Sequence, residues 1–238
     1  MPEFQQSSHR NRLLRLMRAE DYALLAPHLE PCSADKGDIL FRRDAPIERV
    51  WFMESGIGSI VSASAEGLQV ESGLFGRDGF GPVALVMGSD RSPHEGMVQL
   101  PDDCFSLSAD AFTQAIEQSA TLRTLLLRYA QTLSVQTSYT ALSNAVHQID
   151  ERLARWLLMC HDRMDGDELP LTHEFMSIML AVCRPSVTTA LHVLEGNGFT
   201  RAERGCVIVR DRAAMEEFAG DAYGKPEAEY ERLIGPLR

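Results

Sequence analysis

The spacing of apolar residues separates a strand-rich region from helical regions on either side of it. Residues 10–30 mix leucines with charged residues, which indicates one or two short helices. Between Ile39 and Leu107, short apolar runs alternate with turn-forming groups such as KGD, DAP and GRDG. Short runs at this density predict strands of a small antiparallel barrel or sandwich. From Ser108 onward the pattern returns to helical spacing.

A long helix is predicted to follow the strand region. Ser108 has the side chain of a helix N-cap, so a first helix is expected over Ala109–Gln118 and a longer one over about 121–144. Large residues recur on the longer helix at steps of four, three and four, which indicates one stripe packed against a partner helix. The predicted dimer interface consists of Leu122, Leu126, Tyr129 and Leu133.

Two short helices and a strand pair are predicted near the C-terminus. After a helix over about 147–164, Thr172 can cap a helix over 173–180. A second helix is expected to begin near Pro185, because proline suits the first helical turn. Residues 200–209 then alternate around a central ERG turn, as in a hairpin. The order helix, turn, helix and strand pair predicts a winged helix-turn-helix, which binds DNA.

The second of these helices has two different faces. Val187, Leu191 and Leu194 fall at i, i+4 and i+7 and form a predicted core stripe. The opposite face carries basic and small hydroxyl side chains, which fit a major groove about 12 Å wide. A helix pair in an unrelated domain has the same periodicity, but the hairpin that follows favours the winged helix. The predicted DNA contacts are Arg184, Ser186, Thr188, Thr189 and His192.

Composition restricts where DNA can bind. The chain has 238 residues, of which 45% are hydrophobic and 24% charged, as expected for two globular domains. A net charge of −11 opposes DNA binding over the whole surface, since phosphates attract cations. The stretch 184–212 nevertheless holds five arginines against three acidic residues, so a local contact is expected there. A polar N-terminus and the lack of ~18 consecutive apolar residues predict a cytoplasmic protein with no membrane partner.

The sequence carries no pattern that predicts catalysis or metal binding. It lacks HExxH, GxSxG, a P-loop and a dinucleotide fingerprint, so we predict neither enzyme activity nor a cofactor. Zinc and iron-sulfur sites usually use closely spaced cysteines, whereas the cysteines of this chain are scattered. We expect reduced, mostly buried thiols at Cys32, Cys104, Cys160, Cys183 and Cys206.

The segment LTHEFMSIMLAVCRPSVTTALHVLEGNGFTRAERGCVIVRD resembles the DNA-binding domain of Crp/Fnr regulators. The resemblance extends upstream through RLARWLLM and GDILFRRDAPIERVWFMESG. It implies an α+β fold, with a cyclic-nucleotide-binding-like β-barrel (a double-stranded β-helix or jelly roll) over 1–120, a dimerisation helix over 121–145 and the winged helix-turn-helix over 146–238. It also implies a homodimer that reads a two-fold symmetric operator in promoter DNA, with RNA polymerase as a further partner and an unidentified small-molecule effector.

The resemblance also assigns individual DNA contacts. The family's base- and phosphate-contacting positions fall on Arg184, Ser186, Thr188 and Thr189, with Arg184 as the partner of guanine or phosphate. Many family members carry an acidic residue where this chain has Pro185, and that residue accepts a hydrogen bond from cytosine. Proline cannot do so, and the operator of the best-known members is therefore not implied.

The effector site implied by the resemblance is incomplete. In cyclic-nucleotide-binding relatives a glutamate binds the ribose, and an arginine followed by serine or threonine pairs with the cyclic phosphate. Arg91 and Ser92 resemble that phosphate motif, but Pro82 stands in place of the glutamate, so we do not expect cyclic AMP to bind. Thr137 and Ser138 resemble purine-contacting positions, although a polar face at a dimer seam explains them equally well.

Other functions have weaker support in the sequence. The N-terminal region holds only Cys32, which disfavours an iron-sulfur cluster, and the candidate haem ligands Pro2, His28 and His94 are isolated. The alternative to a DNA-binding regulator is a ligand-binding module whose winged helix contacts proteins, which the acidic charge mildly favours.

Overall fold

The chain divides into two compact units. The computed structural model describes residues 5–237, apart from the side chain of Asp102. One unit extends to Val61 and resumes over Leu74–Leu133, and the other comprises Ser62–Gly73 and the chain from Ser134 onward. The division therefore falls inside the long predicted helix.

The strand region forms two antiparallel sheets, as the alternation of apolar runs and turns predicted, and this confirms the α+β class that the resemblance implied. The strands are β1 (Glu30–Ala34), β2 (Ile39–Phe41), β3 (Arg49–Met53), β4 (Ile57–Ala63), β5 (Gln69–Phe75), β6 (Phe80–Gly81), β7 (Glu95–Leu100) and β8 (Asp102–Ser108). Within residues 5–237, these strands make sheets of four, in the orders β1-β8-β3-β6 and β2-β7-β4-β5. Two short helices, α1 (Arg12–Leu16) and α2 (Ala19–Leu25), precede the strands as predicted.

Aromatic rings fill the core of the first unit. Phe52 stacks on Phe80 with ring centroids 5.5 Å apart, and Phe80 in turn lies 5.2 Å from the ring of Tyr129. All three side chains are buried. Gly79 is needed at this point, because a Cβ there would come within 1.9 Å of Tyr129. The tyrosine ring therefore belongs to the core of its own chain.

The long helix is confirmed, but its apolar stripe faces the opposite way from the prediction. Ser108 Oγ accepts a hydrogen bond from Ala111 N (3.2 Å) and caps α3 (Ala109–Gln118), and α4 follows over Ala120–Val146. The predicted dimer residues are buried within the single chain, with exposed fractions of 0%, 0%, 1% and 6% for Leu122, Leu126, Tyr129 and Leu133. Side chains without exposed surface cannot contact a second copy, so this interface prediction is wrong. The stripe instead packs into the core of its own unit.

The C-terminal part of the second unit contains more elements than the sequence predicts. They are α5 (Ile149–His161), β9 (Glu168–Leu169), α6 (His173–Met179), α7 (Arg184–Gly196), β10 (Thr200–Glu203), β11 (Cys206–Val209), α8 (Arg212–Ala219) and α9 (Lys225–Leu233). The sequence predicts only a loop where β9 forms, because two residues are too few for a strand pattern. β9 pairs with β11 and makes the predicted hairpin a three-stranded sheet of order β10-β11-β9.

Within the described residues, no single helix is long and apolar enough to cross a membrane. The pair α6 and α7 reaches the required length and apolar content only when both helices are counted together, and the pair is bent by 105° at its turn.

Candidate nucleic-acid interface

The two helices of the predicted helix-turn-helix are joined by a tight turn. Thr172 Oγ1 accepts a hydrogen bond from Phe175 N (3.2 Å), which confirms the predicted cap of α6. In the turn, Ala181 has a φ of 51°, in the left-handed region that disfavours residues with a Cβ. α7 begins at Arg184, one residue before the predicted start, and Pro185 occupies its first turn as expected.

The buried face of α7 is the predicted one. Val187, Leu191 and Leu194 have exposed fractions of 0%, 1% and 0%, which confirms the core stripe. An additional contact fixes the end of α6, where Arg152 of α5 donates its Nη2 to the carbonyl oxygen of Leu180 at 2.6 Å. Helix ends leave carbonyl groups without helical partners, so this arginine positions the turn. The sequence pattern did not indicate that role.

The outward face of α7 brings three of the predicted DNA-contacting residues onto one stripe. Arg184, Thr188 and His192 recur every fourth residue; Arg184 and His192 are exposed and Thr188 is half-buried. The hydroxyl of Thr188 donates to the carbonyl oxygen of Arg184 (3.2 Å) and lies 3.1 Å from Nδ1 of His173. His173, which the sequence analysis missed, therefore links the start of α6 to this face. Thr189 is also exposed, beside the stripe.

Ser186 departs from this face. With Thr189 it lines a groove of about 380 Å³, whose other wall includes Gln148 and Asp150 near the start of α5. Its hydroxyl lies 3.1 Å from the thiol of Cys183, the N-cap residue of α7. Hydrogen bonds from the hydroxyl and backbone N–H of Ser186 lower the pKa of the Cys183 thiol. Cys183 is exposed, which corrects for this residue the expectation of mostly buried thiols.

The hairpin β10–β11 projects a basic residue at its turn. Thr200 pairs with Val209 and Glu203 with Cys206, which leaves Arg204 and Gly205 as the turn. Gly205 has a φ of 76°, a conformation that favours glycine. Arg204 is exposed at the tip.

One arginine of the stretch 184–212 makes contacts within the fold and is not part of the candidate DNA-binding face. Arg212 donates its Nη2 to Asp162 Oδ1 at 2.6 Å and to the Tyr223 hydroxyl at 2.7 Å, and its Nε lies 2.6 Å from Glu216 Oε1. Burial opposes its charge, but Asp162, Tyr223 and Glu216 raise the pKa of Arg212. This arginine holds α8 against the end of α5, which the sequence count of basic residues did not anticipate.

The remaining arginines form the basic part of the candidate face. Arg201 pairs with Glu203 at 3.2 Å. Within residues 5–237, Arg184, Arg204 and Arg210 are exposed and make no ion pair. The cationic surface is therefore concentrated at the start of α7 and on the hairpin.

The geometry of a helix-turn-helix followed by a small sheet agrees with the comparison to known families. The family model of the Crp-like helix-turn-helix domain matches residues 151–218. This part of the chain therefore contains a Crp-like helix-turn-helix domain. The match covers α5 from its third residue, both helices of the helix-turn-helix and the hairpin.

Solved structures of Crp/Fnr regulators share the fold of most of the chain. A crp/fnr family transcriptional regulator from Eubacterium rectale superimposes with a TM-score of 0.66 at 18% identity, covering 87% of this chain and 97% of that chain. FixK2 from Bradyrhizobium japonicum gives a TM-score of 0.68 at 13% identity, covering 79% and 96%. TTHB099 from Thermus thermophilus gives 0.65 at 17% identity, covering 79% and 96%. The predicted cyclic-nucleotide-binding-like barrel with a winged helix-turn-helix is confirmed as the fold. No curated protein matches the sequence.

The predicted effector residues are distributed over both units. Arg91 is exposed and donates its Nη1 to the carbonyl oxygen of Asp44 at 2.9 Å. Ser92 is buried, and its hydroxyl accepts a hydrogen bond from His94 N at 3.2 Å. In the other unit, Thr137 and Ser138 are both exposed.

The isolated haem-ligand candidates do not gain support. Pro2 lies outside the described residues, His28 is exposed and His94 is half-buried. Within residues 5–237, no group of three or more His, Cys, Asp or Glu side chains is arranged to hold a metal ion.

Proposed function

We propose that the chain is a Crp/Fnr-type transcriptional regulator, which binds a two-fold symmetric operator as a homodimer under the control of an effector or signal. The observation that carries the proposal is the outward stripe of α7, on which the exposed Arg184 and His192 lie with the half-buried Thr188, and Thr189 is exposed beside them. A helix of this kind fits the major groove, where arginine pairs with guanine and threonine contacts base edges or thymine methyls.

The second basic element of the proposed interface is the hairpin. Arg204 at its turn contacts a backbone phosphate when α7 lies in the groove, since phosphate contacts fix the position of the reading helix. Arg210 adds a further cation near the hairpin. Because these positive side chains are local, an overall charge of −11 remains compatible with binding.

The dimer is proposed to form through the exposed side of α4, opposite the stripe that the sequence indicated. Large apolar side chains are exposed there, including Leu127 at 42% and Leu142 at 46%. Leu127, Ser134 and Ala141 are all exposed and recur every seven residues, the spacing of a helix seam. Ser138, one of the predicted effector residues, is exposed on the same side and fits the seam interpretation.

The dimer face has a direct test. A regulator with Ser134→Glu and Ala141→Glu should become monomeric by light scattering, because four like charges would meet at a two-fold seam. Glu117→Gln, on exposed surface of α3, serves as the control and should remain dimeric. A dimeric double variant would contradict the proposed seam.

The effector is proposed to bind in the barrel and to be a molecule other than cyclic AMP. The side chain of Pro82 cannot accept a hydrogen bond from a ribose hydroxyl, and Nη1 of Arg91 already donates to the carbonyl oxygen of Asp44. Recruitment of RNA polymerase belongs to the same proposal and derives from the family likeness.

The DNA-binding proposal is tested with the DNA upstream of the regulator's own gene. We expect binding that weakens steeply as salt rises, because each phosphate contact releases counterions. The alternative, a winged helix that contacts proteins, predicts no binding to this DNA at any salt concentration. Equal affinity for scrambled DNA of the same length would contradict sequence-specific reading.

A further inference from the structure

Two of the scattered cysteines meet on one sheet. Cys32 of β1 and Cys104 of β8 are 72 residues apart in sequence and occupy directly opposite positions in the antiparallel register. Directly opposite residues project from the same face of a sheet. Their sulfur atoms lie 2.9 Å apart. No pattern in the sequence indicates this pair, because cysteine spacing along a chain does not report strand pairing.

The two thiols differ in their access to solvent. Cys32 is half-buried, whereas Cys104 is buried with an exposed fraction of 2%. The Cys32 thiol also lies 3.2 Å from the carbonyl oxygen of Cys104 and 3.6 Å from the hydroxyl of Ser106. A diffusing oxidant therefore reaches Cys32 first, and Cys104 is held beside it as the second thiol.

A cation is positioned at the same face. Arg49 of β3 donates its Nη2 to Ser106 Oγ at 2.9 Å and its Nε to the same atom at 3.1 Å. The guanidinium group also pairs with Glu30 of β1. The half-buried thiol thus lies next to a fixed hydrogen-bond chain, Ser106 to Arg49, which keeps its surroundings polar. Reactive cysteines occupy partly exposed environments of this kind.

We propose that Cys32 and Cys104 form a redox-active dithiol, which a peroxide converts into a reversible cross-strand disulfide. A disulfide has a sulfur–sulfur distance of about 2.05 Å, so the two sulfur atoms need to approach by only about 0.9 Å. The bond would tie the first strand of the barrel to β8, which leads directly into α3. It would give the first unit a response to oxidants that requires no bound cofactor.

The chemistry proceeds in two balanced steps. The Cys32 thiolate attacks one oxygen of hydrogen peroxide, the O–O bond breaks, and one proton completes the released water, which leaves a sulfenic acid on Cys32. The sulfur of Cys104 then attacks the Cys32 sulfur, the S–O bond breaks, and the hydroxyl leaves as water with the Cys104 proton. A dithiol reductant returns both thiols by supplying two electrons and two protons.

The test is peptide mapping of the full-length protein after treatment with hydrogen peroxide, alkylation and trypsin digestion without reductant. We expect a linked species that joins peptides 19–36 and 92–123, which contain Cys32 and Cys104. Its mass should be lower than the sum of the two peptides by two hydrogen atoms, and dithiothreitol should release both. Neither step depends on DNA binding, so the outcome is independent of the proposed operator function.

Two variants sharpen the result. Cys32→Ser should abolish the linked species, whereas Cys183→Ser, which removes the exposed thiol of α7, should retain it at the parent level. Oxidised parent protein in which Cys104 stays fully alkylated would overturn the proposal. Linkage of Cys32 only to Cys183 or to a second chain through another cysteine would overturn it as well.

Discussion

The family resemblance assigns functional residues both on α7 and in the barrel, but the structure places the two sets in different surroundings. Arg184 on α7 is exposed at the start of a regular helix and makes no ion pair within residues 5–237. Arg91 is also exposed, but it lies in an irregular segment and is bonded to the carbonyl oxygen of Asp44. A helix position determines the direction of a side chain, whereas a loop position leaves it to local hydrogen bonds.

The long helix α4 shows a contrast between buried and exposed positions within one element. Its spacing identified a single stripe correctly, but spacing does not say whether the stripe meets its own chain or a partner. The structure buries Leu126 completely and leaves Leu127, the next residue, 42% exposed. Substitutions at neighbouring positions can therefore separate folding from association.

The largest expected effect is on stability, at Leu126. Leu126→Ala should lower the free energy of unfolding by about 2–5 kcal/mol, because it opens a cavity in the core of the first unit. Leu127→Ala, the matched control, should change it by less than about 0.5 kcal/mol beyond any loss of dimer. Urea unfolding at fixed protein concentration measures both. A stable, monomeric Leu126→Ala protein would restore the original assignment of the dimer stripe.

A second effect separates Arg212, which supports α8, from the exposed arginines of the candidate DNA-binding face. Asp162 has a side-chain exposure of 1% and accepts hydrogen bonds from Arg212 (2.6 Å) and from the Tyr223 hydroxyl (2.8 Å). Burial and the charge of Asp162 raise the pKa of Tyr223, so its hydroxyl remains a donor. Asp162→Asn should cost about 1–3 kcal/mol of stability by thermal unfolding.

The DNA affinity of the folded Asp162→Asn protein should equal that of the parent. If Asp162→Asn instead kept the stability of the parent and lost DNA affinity, Arg212 would belong to the DNA interface and would not hold α8 in place.

A smaller effect, of opposite sign, is expected in the turn before α7. Ala181→Gly should stabilise the protein by about 0.5–1 kcal/mol, because glycine adopts a φ of 51° without steric cost while losing more entropy on folding. Ala190→Gly, in the buried face of α7, is the control and should destabilise it by about 1 kcal/mol. Calorimetric melting of both variants gives the comparison. A lower melting temperature for Ala181→Gly would mean that residue 181 does not have the positive φ on which the prediction rests.

The smallest effect is expected at Arg91. Arg91→Ala removes one hydrogen bond from an exposed side chain and should change stability by less than about 1 kcal/mol. Addition of cyclic AMP should not raise the melting temperature of the parent or of the variant. A rise in the parent that Arg91→Ala abolishes would identify Arg91 as a phosphate ligand.

The sequence predicted regular elements well and side-chain partners poorly. Ser108 and Thr172 were identified as caps because their hydroxyl groups suit that position, and the core stripe of α7 followed from helical periodicity. Two-residue β9 was missed because it is stabilised by pairing with β11, which no local pattern reports. The pair of Cys32 and Cys104 could not be predicted from the sequence for the same reason, since it depends on strand register.

The most direct test of the account is DNA binding by Arg184→Ala beside Val187→Ala, with melting temperature measured for both. Arg184→Ala should keep the parent melting temperature and lose about 1–3 kcal/mol of operator affinity if the arginine contacts a base, with relaxed preference at one position. Val187→Ala should melt earlier, because its side chain is fully buried, and its folded fraction should bind as the parent does. Parent-like affinity of Arg184→Ala for its own promoter would contradict the assignment of α7 as the recognition helix.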